Sequence, residues 1–263
     1  MLSGDVAGIS SFSTMKISII TVVFNNRNTV RSAIESVLAQ LYQNIEYIII
    51  DGASTDGTLD IIKEYGSAIH QVVSEQDAGI YDAMNKGIKL CTGDVIGILN
   101  SDDVYENNQV VSTVIEAFSS DLDLALVYGD LVYVKSDDLN QVVRKWTSES
   151  YYSDFFEDGH VPPHPSLFIK KTVYQEVGLF DLNMRLAADY EFMLRLFKLH
   201  QFKSKYINRL FVRMRLGGAT NVSMKNIING NLEILAAWKK NHLKAPYLLM
   251  PKRIIKRLTQ FLK

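Results

Sequence analysis

Three apolar runs, each ending in a polar cluster, constrain the fold of this chain more than any other feature. Lys16 to Phe24 is rich in Ile and Val and breaks at Asn25-Asn26, Ile45 to Ile50 ends at Asp51-Gly52, and Asp94 to Leu99 ends at Asn100-Ser101-Asp102-Asp103. Runs of this length with little alternation fit strands covered on both faces, as in parallel sheets. Between them apolar residues recur at helical spacing. Val30, Ile34, Val37, Leu38 and Leu41 mark one helix with Asn28 as its expected N-cap, and Leu59 and Ile62 mark a second. Ile80, Met84, Ile88 and Cys91 share a third helix face, and Val110, Val111, Val114, Ile115 and Phe118 a fourth. A short strand from His70 to Ser74 completes a pattern of right-handed βαβ units on a parallel sheet. Parallel topology puts the polar strand ends on one rim, where open α/β sheets bind ligands.

The second half is less regular. Leu124 to Val134 reads as a strand or two interrupted at Gly129, and Ser166 to Ile169 is a strand after the Pro-flanked His164. Tyr190, Met193, Leu194 and Phe197 form a helix opened by Asp189 as its expected cap, and basic strands run from Lys203 to Arg215. With 263 residues and 47% hydrophobic composition the chain holds one large domain and a helical appendage. Expected boundaries are an unstructured extension over 1–14, the main domain over 15–222 and a helical, basic extension over 223–263. The single cysteine, Cys91, excludes a disulfide framework and a cysteine-based zinc site. No run approaches a membrane span and no basic leader precedes Met15, so a cytoplasmic location is expected. The net charge of -1 hides an asymmetry, because no acid follows Glu233 while eight cations do, from Lys239 to Lys263. The rest is net acidic by about nine charges, which argues against a nucleic-acid groove.

Asp102 and Asp103 repel one another at a strand end unless water solvates them or a cation lies between them. One reading is a turn with two solvated acids. The other is a divalent cation carrying a phosphorylated substrate, since Mg²⁺-type sites combine one or two carboxylates with substrate phosphates. A nucleotide suits the rim, yet neither the Gly-rich dinucleotide fingerprint nor a P-loop is present.

Five motifs in order carry a specific resemblance. They are Thr21-Val22-Val23-Phe24-Asn25, Asp51-Gly52-Ala53-Ser54-Thr55-Asp56-Gly57-Thr58, Asp77 to Gly87, Asn100-Ser101-Asp102-Asp103, and Ala187-Ala188-Asp189-Tyr190. From about Lys16 to Gly218 the chain resembles a family 2 glycosyltransferase of GT-A fold, in particular bacterial enzymes that build surface polysaccharides and O-antigens. The resemblance implies an α/β, Rossmann-like, mostly parallel sheet flanked by helices, with a C-terminal helical extension. It implies an inverting transfer of a sugar from a nucleoside-diphosphate donor, a UDP-sugar in the expected case, to a hydroxyl of a saccharide or polyprenyl-diphosphate-linked acceptor.

The resemblance also implies roles for residues. Thr21, Phe24, Asn25, Asp51, Ser54, Asp77 and Asn100 would contact the nucleotide, although Phe24 fits a core position equally well. Gly52 stands where relatives often carry a second Asp, and Asn100 where they carry the first Asp of an Asp-x-Asp motif. Asp102 would bind Mg²⁺ or Mn²⁺ with help from Asp103. Asp189 would be the general base, with Glu191 in reserve, and Asp56 a helix cap. His164, Lys86 and Arg185 are expected phosphate or acceptor contacts, with Arg185 and Gly217-Gly218 in a loop over the donor. Asp77, Tyr81 and Asn85 would share one helix face. A sugar nucleotidylyltransferase and a non-catalytic sugar-binding subunit remain as alternatives. The first lacks its expected Gly-rich loop after Phe24, and the second has no need of Asp102 and Asp189. From Lys252 the tail reads as a basic amphipathic helix with Pro251 in its first turn, suited to an anionic membrane at the inner face of the cell membrane. Packing on the domain, or a homodimer contact, is the other reading of that helix.

Overall fold

The computed structural model describes residues 15–217 and 224–261. The expected extension over 1–14, the residue Gly218 and the junction at 222/223 therefore lie outside the described residues. Strand β1 (Ile17–Val23) pairs in parallel with β2 (Ile45–Asp51) and β4 (Val95–Ile98), and β2 pairs in parallel with β3 (Gln71–Ser74). Every residue of β1 and β4 is buried, which is why their sequences read as continuous apolar runs. Strand periodicity divides them between two cores. Ile20, Val22, Ile48, Ile50, Ile96 and Ile98 pack with helix α3 (Ile80–Leu90) on one face. Ile17, Ile19, Val23, Ile49, Val95 and Leu99 face helices α1 (Val30–Leu38) and α4 (Val110–Ser120) on the other. Each fully buried Ile is worth about 1.5–3 kcal/mol, so these two layers dominate the stability of the first half.

The second half extends the same sheet with mixed pairings. Strand β8 (Leu167–Lys170) lies antiparallel to β4 and to β6 (Leu126–Val134), and β6 runs parallel to β9 (Ser204–Arg215). The register of β6 slips between Tyr128 and Leu131, around the Gly129 at which the sequence predicts an interruption. Short strands β5 (Val104–Tyr105) and β7 (Val142–Trp146) pair with β9 and β6, giving a nine-stranded sheet. Strand β7 falls in a stretch without a readable motif. Helices α2 (Thr58–Lys63), α5 (Lys171–Val177) and α6 (Ala188–Leu194) complete the body, with α6 continuing as a π-helical turn over Arg195–Leu199. The chain ends in α7 (Met224–Lys240) and α8 (Leu249–Thr259). Both belong to the same core as α3 and α6, since Ile234, Ala237, Trp238 and Leu249 are buried in it.

Three helix starts differ from expectation. The N-cap of α1 is Thr29, not Asn28, and its hydroxyl donates to Asn26 Oδ1 (2.7 Å) and bonds the Ser101 carbonyl (3.0 Å) instead of capping. Helix α3 begins at Ile80, so Asp77 precedes it and does not share a face with Tyr81 and Asn85. Helix α6 has Ala187 at its N-cap, and Asp189 lies inside the first turn. The tail helix starts at Leu249 and contains Pro251 in its first turn, where a missing N–H costs nothing.

Candidate active site

At the carboxyl ends of β1 and β4 a cleft of about 1140 Å³ opens, large enough for a nucleotide-sized ligand and more. Asn100, Ser101 and Asp102 line one side of it. Their loop is pinned from below: Asn26 Nδ2 donates to Ser101 Oγ (2.9 Å), and Arg215 from β9 donates to the Asp102 carbonyl (2.6 Å) and to Ser32 Oγ (3.0 Å). Asp103 is fully buried beneath the loop and accepts from Asn100 Nδ2 (3.1 Å), so it does not reach the cleft surface. Burial raises the pKa of both acids; the Asp102 charge raises Asp103 further, and the Arg215 guanidinium opposes the shift at both. Asn100 Oδ1 and Asp103 Oδ1 are buried without a hydrogen-bond partner. Two orphaned oxygens beside a cleft-facing carboxylate fit a hard, oxygen-seeking divalent cation such as Mg²⁺ or Mn²⁺. Among the described residues no three His, Cys, Asp or Glu side chains converge, so phosphate oxygens and water would supply the remaining ligands.

On the β1–β2 side, Phe24 is 63% exposed and lines the cleft, which removes it from the core. Asn25 adopts a left-handed φ of 47° and stitches two strand ends together. Its N–H donates to Ser54 Oγ (2.7 Å) and its Oδ1 accepts from the Thr55 N–H (2.8 Å). Asp51 is buried and accepts from the Ser54 N–H (3.1 Å) and Ser74 Oγ (2.6 Å). Thr21 points into the core, where its hydroxyl meets Tyr47 Oη at 3.0 Å. Thr21, Asp51 and Ser54 thus support the rim from behind, whereas Phe24, Asn25, Asp77, Asn100 and Asp102 reach the cleft. Asp56 accepts from the Thr58 N–H (3.0 Å), but the N-cap of α2 is Gly57, so Asp56 stands one residue before the cap position expected of it. Gly52 has a local reason. A Cβ there would stand 2.6 Å from Asp77 Oδ2 and 3.2 Å from the Phe24 ring, so the missing side chain makes room for an acid and an aromatic.

Across the cleft, Asp189 Oδ1 accepts a hydrogen bond from Tyr81 Oη at 2.9 Å. Burial and the neighbouring Asp189 push the Tyr81 phenol well above its ordinary range, so it stays protonated and donates. One carboxylate oxygen is held and the other remains for a ligand hydroxyl. The segment leading into α6 is braced from another helix: Glu233 of α7 accepts from the N–H groups of Arg185 (3.1 Å), Leu186 (2.8 Å) and the N-cap residue Ala187 (2.9 Å). Glu191 is fully buried and paired with Arg195 Nη2 (2.9 Å), which removes it as a reserve base. His164 lines the cleft with its ring against Phe180 (centroids 5.7 Å apart), and burial lowers its pKa so that the neutral imidazole prevails at pH 7. Lys86 is not brought to the cleft; it pairs with Glu75 (2.9 Å) and donates to the Gln76 carbonyl (2.8 Å). Arg185 is exposed at the rim.

The tail completes the site, which no motif announced. Arg253, Lys256 and Arg257 of α8 line the cleft together with Arg144 of β7. Lys145 N–H donates to the Gln260 carbonyl (3.1 Å) and Lys252 pairs with Asp158 (2.8 Å), so α8 docks on the domain through part of its basic face. Ile255 and Leu258 remain on its exposed side. Arg215 and Glu233 also escaped the sequence reading. Their partners are main-chain groups 113 and 46–48 residues away, for which sequence offers no spacing rule.

A family description, glycosyl transferase family 2, matches residues 18–176. An uncharacterised glycosyltransferase of Mycobacterium tuberculosis is 34% identical over 183 residues, covering 68% of each chain. Among solved structures, S. aureus TarS 1-349 in complex with UDP superposes with a TM-score of 0.66 at 17% identity, over 90% of this chain and 68% of that one. The mannosyltransferase PcManGT from Pyrobaculum calidifontis, in complex with GDP-Man and Mn²⁺, gives a TM-score of 0.64 at 14% identity, over 95% and 70%. At those identities the structural likeness speaks for the fold, a GT-A-type α/β sheet flanked by helices with a helical C-terminal segment.

Proposed function

The chain belongs to glycosyl transferase family 2, and from that premise we propose that it is an inverting, metal-assisted enzyme of surface-polysaccharide synthesis with a UDP-sugar donor. The observation that carries this reading is the pairing of two carboxylates across one cleft: Asp102 at the end of β4 and Asp189, held by Tyr81, on α6. A uridine ring stacks on the exposed Phe24, with Asn25 and Asp77 at its edge. The nucleotide's diphosphate runs toward Asp102. Asp102, with the Asn100 amide oxygen, would hold Mg²⁺ or Mn²⁺, and the cation would neutralise charge on the departing diphosphate.

Asp189 supplies the base. Its unengaged oxygen takes the proton of the acceptor hydroxyl as that oxygen bonds to the anomeric carbon from the side opposite the leaving group. The carbon–oxygen bond to the diphosphate breaks, and its electron pair leaves with the nucleotide. One such displacement inverts the anomeric centre. Tyr81 keeps the carboxylate oriented throughout, because its proton is too tightly held to be surrendered. His164, neutral and rigid between prolines, borders the acceptor side. The structural relatives solved with UDP and with GDP-Man and Mn²⁺ support a nucleotide-sugar donor and a divalent cation. The exposed apolar residues Tyr247, Leu248, Ile255 and Leu258 suit a lipid-linked acceptor at an anionic bilayer surface.

A donor panel of UDP- and GDP-sugars, assayed with Mg²⁺, Mn²⁺ or chelator, tests this reading. Metal-stimulated release of UDP from one donor is expected, and Asp102→Ala should abolish it without altering the melting temperature. Release that is indifferent to chelator and to Asp102→Ala would overturn the metal assignment.

A further inference from the structure

A cluster of arginines suits an anion, because a guanidinium is always charged, its repulsion cannot be relieved by losing a proton, and its donor fork matches phosphate oxygens. Three cluster here. Arg253 and Arg257 sit one turn apart on α8, and Arg144 faces them from β7. Arg144 is 6% exposed and stacks on the Tyr133 ring (3.7 Å to the centroid), and Arg253 lies over the Tyr190 ring at 4.7 Å. Arg144 Nε and Arg253 Nη1 are both shut off from solvent without a hydrogen-bond partner. Burial lowers both guanidinium pKa values, and the Arg257 charge lowers them further. Aromatic faces hold these cations in place without neutralising them.

The site is built rather than incidental. Tyr190, beneath Arg253, is itself fixed by Trp238 Nε1 at 3.0 Å. Gly159 at φ +83° lets α8 approach closely, since a Cβ there would lie 2.8 Å from the Arg253 backbone nitrogen. The three arginines line the same cleft as Asp102 and Asp189, and Arg253 feels the charge of Asp189.

We propose that the C-terminal helix α8 is part of the substrate site, and that Arg253, with Arg257 and Arg144, binds a diphosphate or phosphodiester group in the cleft. This rests on the cleft being the transfer site. Two substrates present that chemistry, the donor's diphosphate and an acceptor's phosphate. The tail so assigned lies beyond the residues that match the family.

The test is binding of inorganic pyrophosphate, UDP and uridine to the full chain with Mn²⁺, for wild type, Arg253→Gln and Arg253→Lys. Lys239→Gln, which removes one charge from the exposed end of α7, is the control. Arg253→Gln should weaken pyrophosphate binding by roughly 10-fold or more, the effect of one charge-assisted hydrogen bond, with partial rescue by Lys and no change in the control. If the donor is the source, UDP affinity falls in parallel and uridine affinity does not. If the acceptor is the source, UDP affinity holds while KM rises for a phosphate-bearing acceptor and stays level for a neutral saccharide. The proposal is overturned if Arg253→Gln matches wild type in every one of these readouts, or if wild type binds no pyrophosphate. Sugar transfer by wild type, measured alongside, keeps that failure separate from a failure of the transferase reading.

Discussion

Removing the Glu233 side chain should both loosen the protein and slow it. Three backbone N–H groups, of Arg185, Leu186 and Ala187, end on this one carboxylate at 2.8–3.1 Å. They belong to the segment that leads into helix α6, the last of them at its N-cap Ala187. Losing a hydrogen bond to a charged acceptor costs about 1.5–3 kcal/mol where water cannot replace it. Arg185 is exposed, so water recovers part of the loss, and the three bonds do not add. A net destabilisation of about 2–4 kcal/mol follows for Glu233→Ala, or roughly 5–15 °C in melting temperature for a chain of this size. Because α6 carries Asp189, turnover at 25 °C should also fall, by ~10-fold or more, since small misplacements of a catalytic group are expensive. Calorimetric unfolding and initial-rate assays on the same preparation read both effects. Leu232→Ala, an exposed neighbour, should change stability by no more than about 0.5 kcal/mol. If Glu233→Ala melts and turns over like wild type, α7 does not hold the α6 terminus and the coupling argued here is wrong.

Two other variants probe the fold and the site, Glu46 at the amino ends of β1 and β2 and Gly52 at the cleft. Burial pushes Glu46 up, but hydrogen bonds from Ser18, Thr92 and Lys16 outweigh it and hold its pKa at about 2, well below the ordinary 4.5 of a glutamate. A depressed carboxylate stabilises the fold above its unfolded pKa and loses that contribution as pH falls through the folded one. Glu46→Gln should therefore cost about 3 kcal/mol at pH 7, with the gap to wild type closing between about pH 4.5 and 2; a gap independent of pH in denaturant titrations would refute the assignment. Gly52→Ala should weaken UDP binding by ~10-fold while leaving the melting temperature nearly unchanged, because the new methyl displaces only the Asp77 carboxylate and the Phe24 ring. Wild-type UDP affinity in that variant would show that Asp77 and Phe24 do not read the nucleotide.

The parallel half of the fold was legible because its signals are local. Ile17 to Val23 and Val95 to Ile98 are buried on both faces, and their composition records it. The strand-end polar residues were legible for the same reason, since parallel topology fixes which ends share a rim. Finer assignments failed where orientation depends on the partner across the sheet. Thr21 belongs to a strand-end motif, yet strand periodicity turns it inward to Tyr47. Lys86 looks like a phosphate contact until Glu75 and Asp82 are seen beside it. The tail was hardest of all. Its basic and apolar residues alternate in a way that suits a membrane, and only the docking of α8 on Asp158 and Gly159 turns Arg253 toward the cleft.

The central claim is that Asp189 acts as the base, and one comparison tests it most directly: single-turnover transfer and donor affinity of Asp189→Asn against wild type. Asparagine keeps the shape and can still accept the Tyr81 hydrogen bond, but it cannot take a proton. Turnover at saturating donor should fall by at least ~10² with donor affinity within about twofold of wild type. A variant that turns over normally at saturation but binds donor poorly would make Asp189 a binding residue and contradict the account.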